Sequence, residues 1–174
     1  HLAQKMHVPV LNVFEINYST KSLKANAALV GWGTTRRVIL TDTLRQQYSD
    51  DEIEVILAHE CAHQAFHHVF KHILLHSGLI AGFLYSASVW GPRIVSRAGL
   101  DGLSEPEALP LVWAALVCYG LCTQPLTNWA SRHWERQADR RALAVTGLHA
   151  AFVSMMDKLS GQNLSDRSPA NVRA

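Results

Sequence analysis

Residues 11–44 alternate short apolar runs with turn-forming residues. Branched apolar side chains concentrate in segments 11–16, 27–30 and 37–40, and Gly31 and Gly33 punctuate them. Short runs of this composition, bounded by glycine, are typical of β-strands joined by tight turns. The pattern therefore predicts a small antiparallel sheet near the start of the chain.

A helical pattern follows at once. Ser49 and Glu52 have the spacing of a capping box, and Asp50 and Asp51 add negative charge to the first helical turn. Apolar residues then recur at helical spacing, and neither glycine nor proline interrupts the pattern up to Lys71. We expect a helix from about residue 50 to about residue 71.

Two longer apolar stretches, residues 73–90 and 109–126, contain no Asp, Glu, Lys or Arg. Each has 18 residues, and roughly 20 are needed to cross a bilayer as a helix. The first has Gly78 and Gly82 at the G-x-x-x-G spacing that lets membrane helices approach closely. We expect a helical hairpin in a membrane, with residues 91–107 as an exposed connection. The alternative is a pair of buried helices in a soluble bundle.

The rest of the chain again has helical character. Residues 128–145 are good helix formers, Gly147 is a stop signal, and a last helix is expected from about residue 148 to 159, followed by a loop from residue 161. The expected fold is therefore α+β and mostly helical. It forms a single domain over residues 1–174, with a hydrophobic hairpin inserted at 73–126.

Composition narrows the class of protein. The chain of 174 residues is long enough for one domain, and it begins without an initiator Met, so we expect a fragment of a longer protein. Its net charge is only +2 and it contains no block of like charges, which argues against a nucleic-acid partner. Three cysteines form no disulfide framework.

His59, Glu60 and His63 form an H-E-x-x-H motif within the predicted helix. Residues i and i+4 share one helix face, so both imidazoles can reach a single zinc ion. Zinc polarises a carbonyl group and acidifies water, and the intervening carboxylate can move the released proton to a leaving amine. Six of the ten histidines lie between His59 and His76. This clustering favours a metal site.

A catalytic zinc site needs a third protein ligand. His67 lies about 12 Å along the helix from His59, at 1.5 Å per residue, which is too far for both to bind one ion. Glu135 and Asp139 share one face of a later helix, so Glu135 could bind the metal while Asp139 orients a ligand. Alternatively, both carboxylates belong to a solvated, salt-bridged face with three neighbouring arginines, Arg132, Arg136 and Arg140.

The order of these motifs resembles the membrane zinc metallopeptidases that comprise the CAAX prenyl proteases and the HtpX-type proteases. H-E-x-x-H is followed, after the hydrophobic hairpin, by S-R-x-x-E-x-x-A-D at residues 131–139. A second block, with Asn26, Ala27 and Gly31 before the T-R-R-V-I-L run at 35–40 and the D-T-L at 42–44, is similar to the prenyl protease branch.

The resemblance implies a zincin-like (gluzincin) catalytic domain that binds one zinc ion per chain. It implies that His59, His63 and Glu135 are the metal ligands and that Glu60 is the general base. The resemblance also implies places near the metal site or the substrate for four further residues. Asp139 would orient a ligand, Arg132 would lie near the site, and Asn26 and Ala27 would lie on an edge strand that receives an extended peptide.

The resulting expectation is a membrane-associated zinc endopeptidase closest to the CAAX prenyl proteases, with a peptide or protein substrate. The alternatives are an HtpX-like protease of membrane-protein quality control and a non-catalytic binding module braced by zinc. Positive charge is greater at the catalytic end of the hairpin than at its connection, which places the catalytic side in the cytoplasm. The charges are Lys71, Arg132, Arg136, Arg140 and Arg141 against Arg93 and Arg97.

Overall fold

The computed structural model describes residues 12–17, 26–31, 35–102 and 105–165, with side chains as far as residue 161. Leu11 of the first predicted strand, Gly33 of the predicted turn and residues 166–174 of the predicted loop lie outside this range. The described part is mostly helical and contains one small sheet. This confirms the coarse fold class expected from the sequence.

Three short strands form the sheet: β1 (Asn12–Ile16), β2 (Ala27–Val30) and β3 (Arg37–Thr41). Their order is β1-β3-β2, with β2 antiparallel and β1 parallel to the central β3. The prediction of an antiparallel sheet is therefore wrong for β1. Strands β1 and β2 run in opposite directions, and β3 lies between them. In a meander, by contrast, β2 would lie between β1 and β3. The alternation of side chains predicts strands but carries no information about their neighbours.

Gly31 ends β2 in a backbone conformation that other residues avoid, with φ of +102°. A Cβ atom at this position would lie 2.7 Å from the carbonyl oxygen of Thr35. The turn from β2 towards β3 thus needs glycine for its conformation and for lack of space. This gives a structural reason for Gly31 in the second block of motifs.

Two helices follow the sheet: α1 (Asp42–Gln47) and α2 (Asp50–Ala65). The capping box predicted for α2 is present, since Ser49 Oγ accepts a bond from the Glu52 N–H and the Glu52 carboxylate accepts one from the Ser49 N–H. Helix α2 ends at Ala65, before the predicted Lys71. His67 adopts a left-handed conformation with φ of +54°, which breaks the helical ladder. No local sequence signal marks this break.

Three long helices complete the fold: α3 (His68–Arg97), α4 (Leu109–Thr146) and α5 (His149–Ser165). The predicted connection 91–107 was placed too early, because α3 continues through Pro92. Helix α4 likewise continues through Pro125, so that the second apolar stretch and the S-R-x-x-E-x-x-A-D motif share one helix. Each proline removes one ladder hydrogen bond without ending its helix. Helix α5 also extends past Gly161.

The chain divides into two compact units, His68–Trp134 and the remainder on either side of it. The remainder, which we call the sheet unit, has two apolar clusters. In one, Cys61 and Ala62 of α2 pack with Leu29 and Val38 of the sheet and with Ala138 of α4. The other surrounds Val55 of α2 and brings together Ala27, Leu44, Tyr48 and Met155. The sheet, α2 and α5 are thereby held around the H-E-x-x-H motif.

A buried ionic network ties α2 to α5 within the sheet unit. The Glu52 side chain is only 3% exposed and accepts bonds from Lys158 Nζ at 2.6 Å and Ser154 Oγ at 2.7 Å. Burial would raise the pKa of Glu52, but the bonds from Lys158, Ser154 and the Ser49 N–H, together with the charge on Lys158, lower it to about 2. Glu52 therefore both caps α2 and positions α5.

The unit His68–Trp134, here called the hairpin unit, contains the two apolar stretches on separate helices. Each helix is long and apolar enough to cross a membrane, with mean hydropathy of 1.5 in α3 and 1.4 in the segment that contains α4. Tyr119 of α4 donates its phenolic hydrogen to the Leu79 carbonyl of α3 at 2.9 Å. A Cβ atom on Gly82 would lie 3.0 Å from the Tyr119 oxygen. The described part of the hairpin unit thus contains a polar contact between its helices.

Candidate metal centre

His59 and His63 lie one turn apart on α2, and their rings meet on one face of the helix. Their Nε2 atoms are 2.9 Å apart and their ring centroids 4.6 Å apart. Both side chains are about one-fifth exposed. Two ring nitrogens at this distance, each with a lone pair in the neutral imidazole, can bind the same cation.

Glu135 of α4 lies opposite this pair. Its Oε2 atom is 3.4 Å from His59 Nε2 and 3.6 Å from His63 Nε2. In the described part of the chain, these three residues form a group whose ligand atoms all lie within 4.8 Å of one another. Helices α2 and α4 thus bring together residues that are more than seventy positions apart in sequence.

The donor set and its dimensions fit zinc. Ligands at about 2.05 Å in tetrahedral geometry are separated from one another by about 3.3 Å. The three observed separations of 2.9, 3.4 and 3.6 Å bracket this value. Two imidazoles and one carboxylate also form one of the ligand sets of catalytic zinc sites, which leave a fourth position open.

Asp139 lies one turn after Glu135 on α4 and contacts the other nitrogen of the first imidazole. Its Oδ1 atom is 2.9 Å from His59 Nδ1. A carboxylate at Nδ1 holds the proton on that nitrogen and leaves the Nε2 lone pair directed at the triad. Arg132 is exposed on α4 and belongs to the hairpin unit, so its predicted place near the site stays a prediction.

Glu60 is partly buried and lines the same cavity as His59 and Glu135. Burial raises the pKa of its carboxyl group above the ordinary value, the charge of His59 opposes the shift, and the Glu135 carboxylate adds to it. A carboxylate with a raised pKa is a stronger base than an exposed one. Its place in the cavity lining and its raised pKa make Glu60 a candidate proton acceptor.

The cavity has a volume of about 430 Å³ and is lined by two chemically different sets of residues. The polar set comprises Asn26, His59, Glu60, Glu135 and Asp139. The apolar set comprises mainly Leu44, Ile56, Met155, Met156 and Leu159. The apolar lining suits an uncharged side chain of a substrate.

Strand β2 is at the edge of the sheet, and the register determines which of its backbone groups face outwards. The Thr41 N–H donates to the Asn26 carbonyl at 3.0 Å, so these residues form a hydrogen-bonded pair. Hydrogen-bonded and non-hydrogen-bonded pairs alternate, which makes Ala27 and Leu29 non-hydrogen-bonded with respect to β3. Their backbone N–H and C=O groups therefore point away from β3, to the side of β2 on which the described residues form no further strand.

The structure also identifies residues that the sequence reasoning did not single out. Thr41 Oγ1 accepts a bond from the Asn26 N–H at 2.9 Å and donates to the Asn26 carbonyl at 3.0 Å, which fixes the backbone where the cavity begins. Gln64 donates to the Leu29 carbonyl at 3.4 Å. Met155 and Met156 come from α5, which carries no motif. Thr41 and Gln64 each lie beside a motif block, so proximity could have drawn attention to both, whereas Met155 and Met156 have no such signal.

Comparison with protein families decides the classification of this chain. The model of peptidase family M48 matches residues 1–170. The chain belongs to peptidase family M48. The resemblance drawn from the sequence motifs is thereby confirmed, since the relatives of this chain include proteins named as CAAX prenyl proteases and as HtpX proteases.

Three M48 relatives illustrate the range of similarity. The uncharacterized metalloprotease YhfN of Bacillus subtilis is 32% identical over 97% of this chain and 40% of its own length. Protease HtpX homolog 2 of Methanosarcina mazei is 30% identical over 84% of this chain and 48% of its own length. A CAAX prenyl protease 1 homolog of Arabidopsis thaliana is 38% identical over 34% of this chain and 14% of its own length. The chain thus spans less than half of each relative.

A solved structure supports the fold of this M48 chain. The crystal structure of S. mikatae Ste24p superposes with a TM-score of 0.63 and covers 90% of this chain and 42% of its own. Sequence identity over the match is 22%, so the similarity bears on the fold alone. The order of sheet, H-E-x-x-H helix, hairpin and second motif helix is therefore a Ste24p-like arrangement.

Proposed function

We propose that this chain is the catalytic portion of a membrane-associated, zinc-dependent endopeptidase with a zincin-like (gluzincin) site. The observation that carries the proposal is the triangle of His59 Nε2, His63 Nε2 and Glu135 Oε2. Glu60 beside it supplies a base, and the open edge of β2 supplies a docking place for a peptide. Membership of M48 supports the same function.

His59, His63 and Glu135 would hold one zinc ion, and Asp139 would orient His59 through its Nδ1 atom. When bound, zinc supplies a Lewis acid that polarises the scissile carbonyl and makes water a better nucleophile. Two histidines and a carboxylate favour zinc over magnesium or calcium, which prefer oxygen ligands alone.

Glu60 carries the proton transfer in this proposal. Its carboxylate accepts a proton from the attacking water as the oxygen bonds to the carbonyl carbon. The same carboxyl group then donates that proton to the nitrogen of the departing amine as the carbon–nitrogen bond breaks. Burial, which raises the pKa of Glu60, makes its carboxylate a stronger base than an exposed one.

The substrate is proposed to bind as an added strand along β2, starting at Asn26 and Ala27. The outward-facing N–H and C=O groups of Ala27 offer two main-chain bonds that do not depend on the peptide's sequence. Selectivity then comes from the apolar side chains that line the cavity, among them Met155 and Leu159, which suit an uncharged side chain of the substrate.

Membrane association is proposed from the hairpin unit. The 18-residue apolar windows of its two long helices have none of their residues buried. Exposed aromatic residues lie near both ends of the apolar stretch of α4. Trp113 is 66% exposed and Trp129 is 63% exposed. The 16 residue steps of helix between them span about 24 Å. Aromatic residues at this spacing suit the two interfaces of a bilayer core of about 30 Å. The excess of Lys and Arg at the catalytic end supports a cytoplasmic site.

The experiment that tests the proposal compares the complete protein with its Glu60→Gln variant, purified in detergent. Each is assayed for bound zinc and for cleavage of an unstructured peptide with apolar residues. We expect about one zinc per chain in both proteins and loss of cleavage in the variant. Wild-type cleavage by the Glu60→Gln variant would exclude Glu60 as the base. Zinc binding without cleavage by the wild-type protein would favour a zinc-braced binding module.

In its choice of substrate, the protein is proposed to be nearest to the CAAX prenyl proteases, because residues 26–44 are similar to a block of motifs in that branch. The HtpX-like alternative is supported by the longer match to the Methanosarcina relative. A farnesylated C-terminal peptide and an unfolded membrane protein, offered to the same preparation, separate the two branches. Preferential cleavage of the farnesylated peptide over its unmodified form supports the first branch, and cleavage of the unfolded protein alone supports the second.

A further inference from the structure

We propose that Gln64 limits how far a substrate strand can pair along β2, and so sets the length of peptide that the cleft prefers. The inference rests on the proposed function, because it requires a peptide that docks on this strand. Gln64 directly follows His63 on α2. It is a positioning residue in this proposal and takes no part in the chemistry.

The contact that carries the inference joins Gln64 to the edge strand. The side-chain Nε2 of Gln64 donates to the Leu29 carbonyl oxygen at 3.4 Å. The register of β2 turns this carbonyl away from β3, to the side on which a peptide would add. Gln64 thus occupies an acceptor that an added strand would otherwise use.

Ala27 and Leu29 are the residues of β2 whose backbone groups point outwards. They differ in whether a side chain already donates to the backbone carbonyl. Among the described residues, no side chain forms a hydrogen bond with the outward N–H or C=O of Ala27, and in this proposal the peptide pairs with both. The next outward carbonyl, two residues and about 7 Å further along, already has a donor. To pair with Leu29, the peptide must place the nitrogen of a backbone N–H about 2.9 Å from the Leu29 oxygen. The Gln64 amide lies on that side of the oxygen.

The Gln64 contact is also weak enough to be displaced. A bond of 3.4 Å lies beyond the usual range of N–H···O distances, and Gln64 is partly exposed. A carbonyl oxygen can accept two bonds, but in this proposal the peptide N–H approaches Leu29 from the side that the Gln64 amide occupies. A peptide that extends past Ala27 therefore exchanges one neutral hydrogen bond for another. Removal of the competing donor should therefore favour longer peptides by about 2- to 10-fold, the range for one such bond.

The test uses Gln64→Met, which keeps the length of the side chain and removes its donor. Peptides cleaved by the complete protein are compared with the same peptides lengthened by two residues at the N-terminal or the C-terminal end. We expect the ratio of KM for the longer to KM for the shorter peptide to fall by about 2- to 10-fold at one end only. That end also reveals the direction of the bound strand. Gln124→Met, the same change at an exposed position of the hairpin unit, should leave the ratio unaltered.

Two further measurements distinguish the proposed role from simple bracing of β2. The first measurement uses a longer peptide in which the added residue that reaches Leu29 is N-methylated and so has no backbone N–H. Because this peptide cannot donate to the Leu29 carbonyl, the lower KM of the longer peptide with Gln64→Met should disappear. Gln64→Glu, which has no donor at neutral pH, should shift the ratio in the same direction as Gln64→Met. A lower melting temperature with an unchanged KM ratio in both variants would overturn the inference.

Peptide binding provides a readout that does not need catalysis. In a Glu60→Gln background, the ratio of dissociation constants for long and short peptides should change with Gln64→Met as the KM ratio does. If the wild-type protein cleaves no peptide, the proposed function fails, yet this binding ratio still supports or refutes the role of Gln64. Equal ratios with and without Gln64 in the binding assay would refute it.

Discussion

Asp139 Oδ1 lies 2.9 Å from Nδ1 of His59, on the side of the imidazole opposite to Glu135. Helix α4 therefore contacts one ring twice, with a carboxylate on each nitrogen, because Glu135 and Asp139 are one turn apart. The contact determines which nitrogen carries the proton and which is available to a metal ion. A single helix thus supplies both a candidate ligand and the group that orients a ligand on α2.

Replacement of this orienting carboxylate should weaken metal binding without abolishing it. We expect Asp139→Asn to reduce zinc affinity by about 10- to 100-fold, because the amide is uncharged and holds the Nδ1 proton less firmly. Competition with a chromogenic chelator measures the affinity. Asp157→Asn, at an exposed position on α5, is the matched control and should bind zinc as the wild type does. Equal affinities in the two variants would contradict the orienting role.

Zinc should stabilise the folded chain through the triad. A ligand that binds only the folded state at 100 times its Kd adds about 2.7 kcal/mol to the free energy of unfolding. We expect the melting temperature to rise with zinc and fall on chelation, and His63→Ala to remove this response. His149→Ala, which deletes an exposed imidazole outside the triad, should retain it. A zinc response that persists in His63→Ala would place the metal elsewhere.

The Glu52 network predicts a specific loss of stability in acid. Its pKa is about 2 in the folded chain and near 4.5 when unfolded, so its contribution is fully present above pH 4.5 and is lost as pH falls towards 2. At neutral pH, Glu52→Gln should lower the free energy of unfolding by about 1–3 kcal/mol, the cost of breaking buried bonds to a charged group. Denaturant titrations at pH 7 and below pH 3 measure the difference, which should shrink in acid. Asp157→Asn should have little effect at either pH.

Gly31 is expected to resist substitution. Gly31→Ala forces a side chain into a backbone conformation with φ of +102° and towards the Thr35 carbonyl at 2.7 Å. Strain of this kind costs on the order of 1–3 kcal/mol, measured as a lower free energy of unfolding. Gly161→Ala on α5 is the control, because its added Cβ meets nothing within 4 Å. Comparable stability of the two variants would refute the requirement for glycine at residue 31.

The interhelical bond of the hairpin unit should couple Tyr119 to Gly82. Tyr119→Phe loses the bond to the Leu79 carbonyl, at a cost of about 0.6 kcal/mol for a typical bond between membrane helices. Gly82→Ala places a Cβ atom 3.0 Å from the Tyr119 oxygen, so it should cost less in the Tyr119→Phe background than alone. Unfolding in mixed detergent measures this double-mutant cycle. Gly78→Ala, whose added Cβ meets nothing within 4 Å, should show no coupling to Tyr119.

Local signals in the sequence predicted much of this fold. The three strands lie where the branched residues indicated, and α2 begins at its capping box, because both patterns depend on near neighbours. The candidate metal residues were also identifiable, since the i, i+4 spacings of His59 with His63 and of Glu135 with Asp139 act within single helices. Their meeting at 3.4 Å between His59 and Glu135 could only be inferred through the family resemblance.

Other features depended on contacts between distant segments. The parallel pairing of β1 with β3, the end of α2 at Ala65 and the passage of α4 through Pro125 have no unambiguous local signal. The bond from Gln64 to Leu29 and the packing of Met155 beside the cavity join elements far apart in the chain.

The sequence by itself therefore determined the elements and the kinds of chemical groups they carry, because propensity, capping and helical spacing act over a few residues. The tertiary structure alone decided strand direction, the shape of the cavity and which backbone groups of β2 point away from β3. These properties arise from packing and hydrogen bonding between segments that are far apart in the chain. The number of residues between two such segments does not reveal how they lie in space.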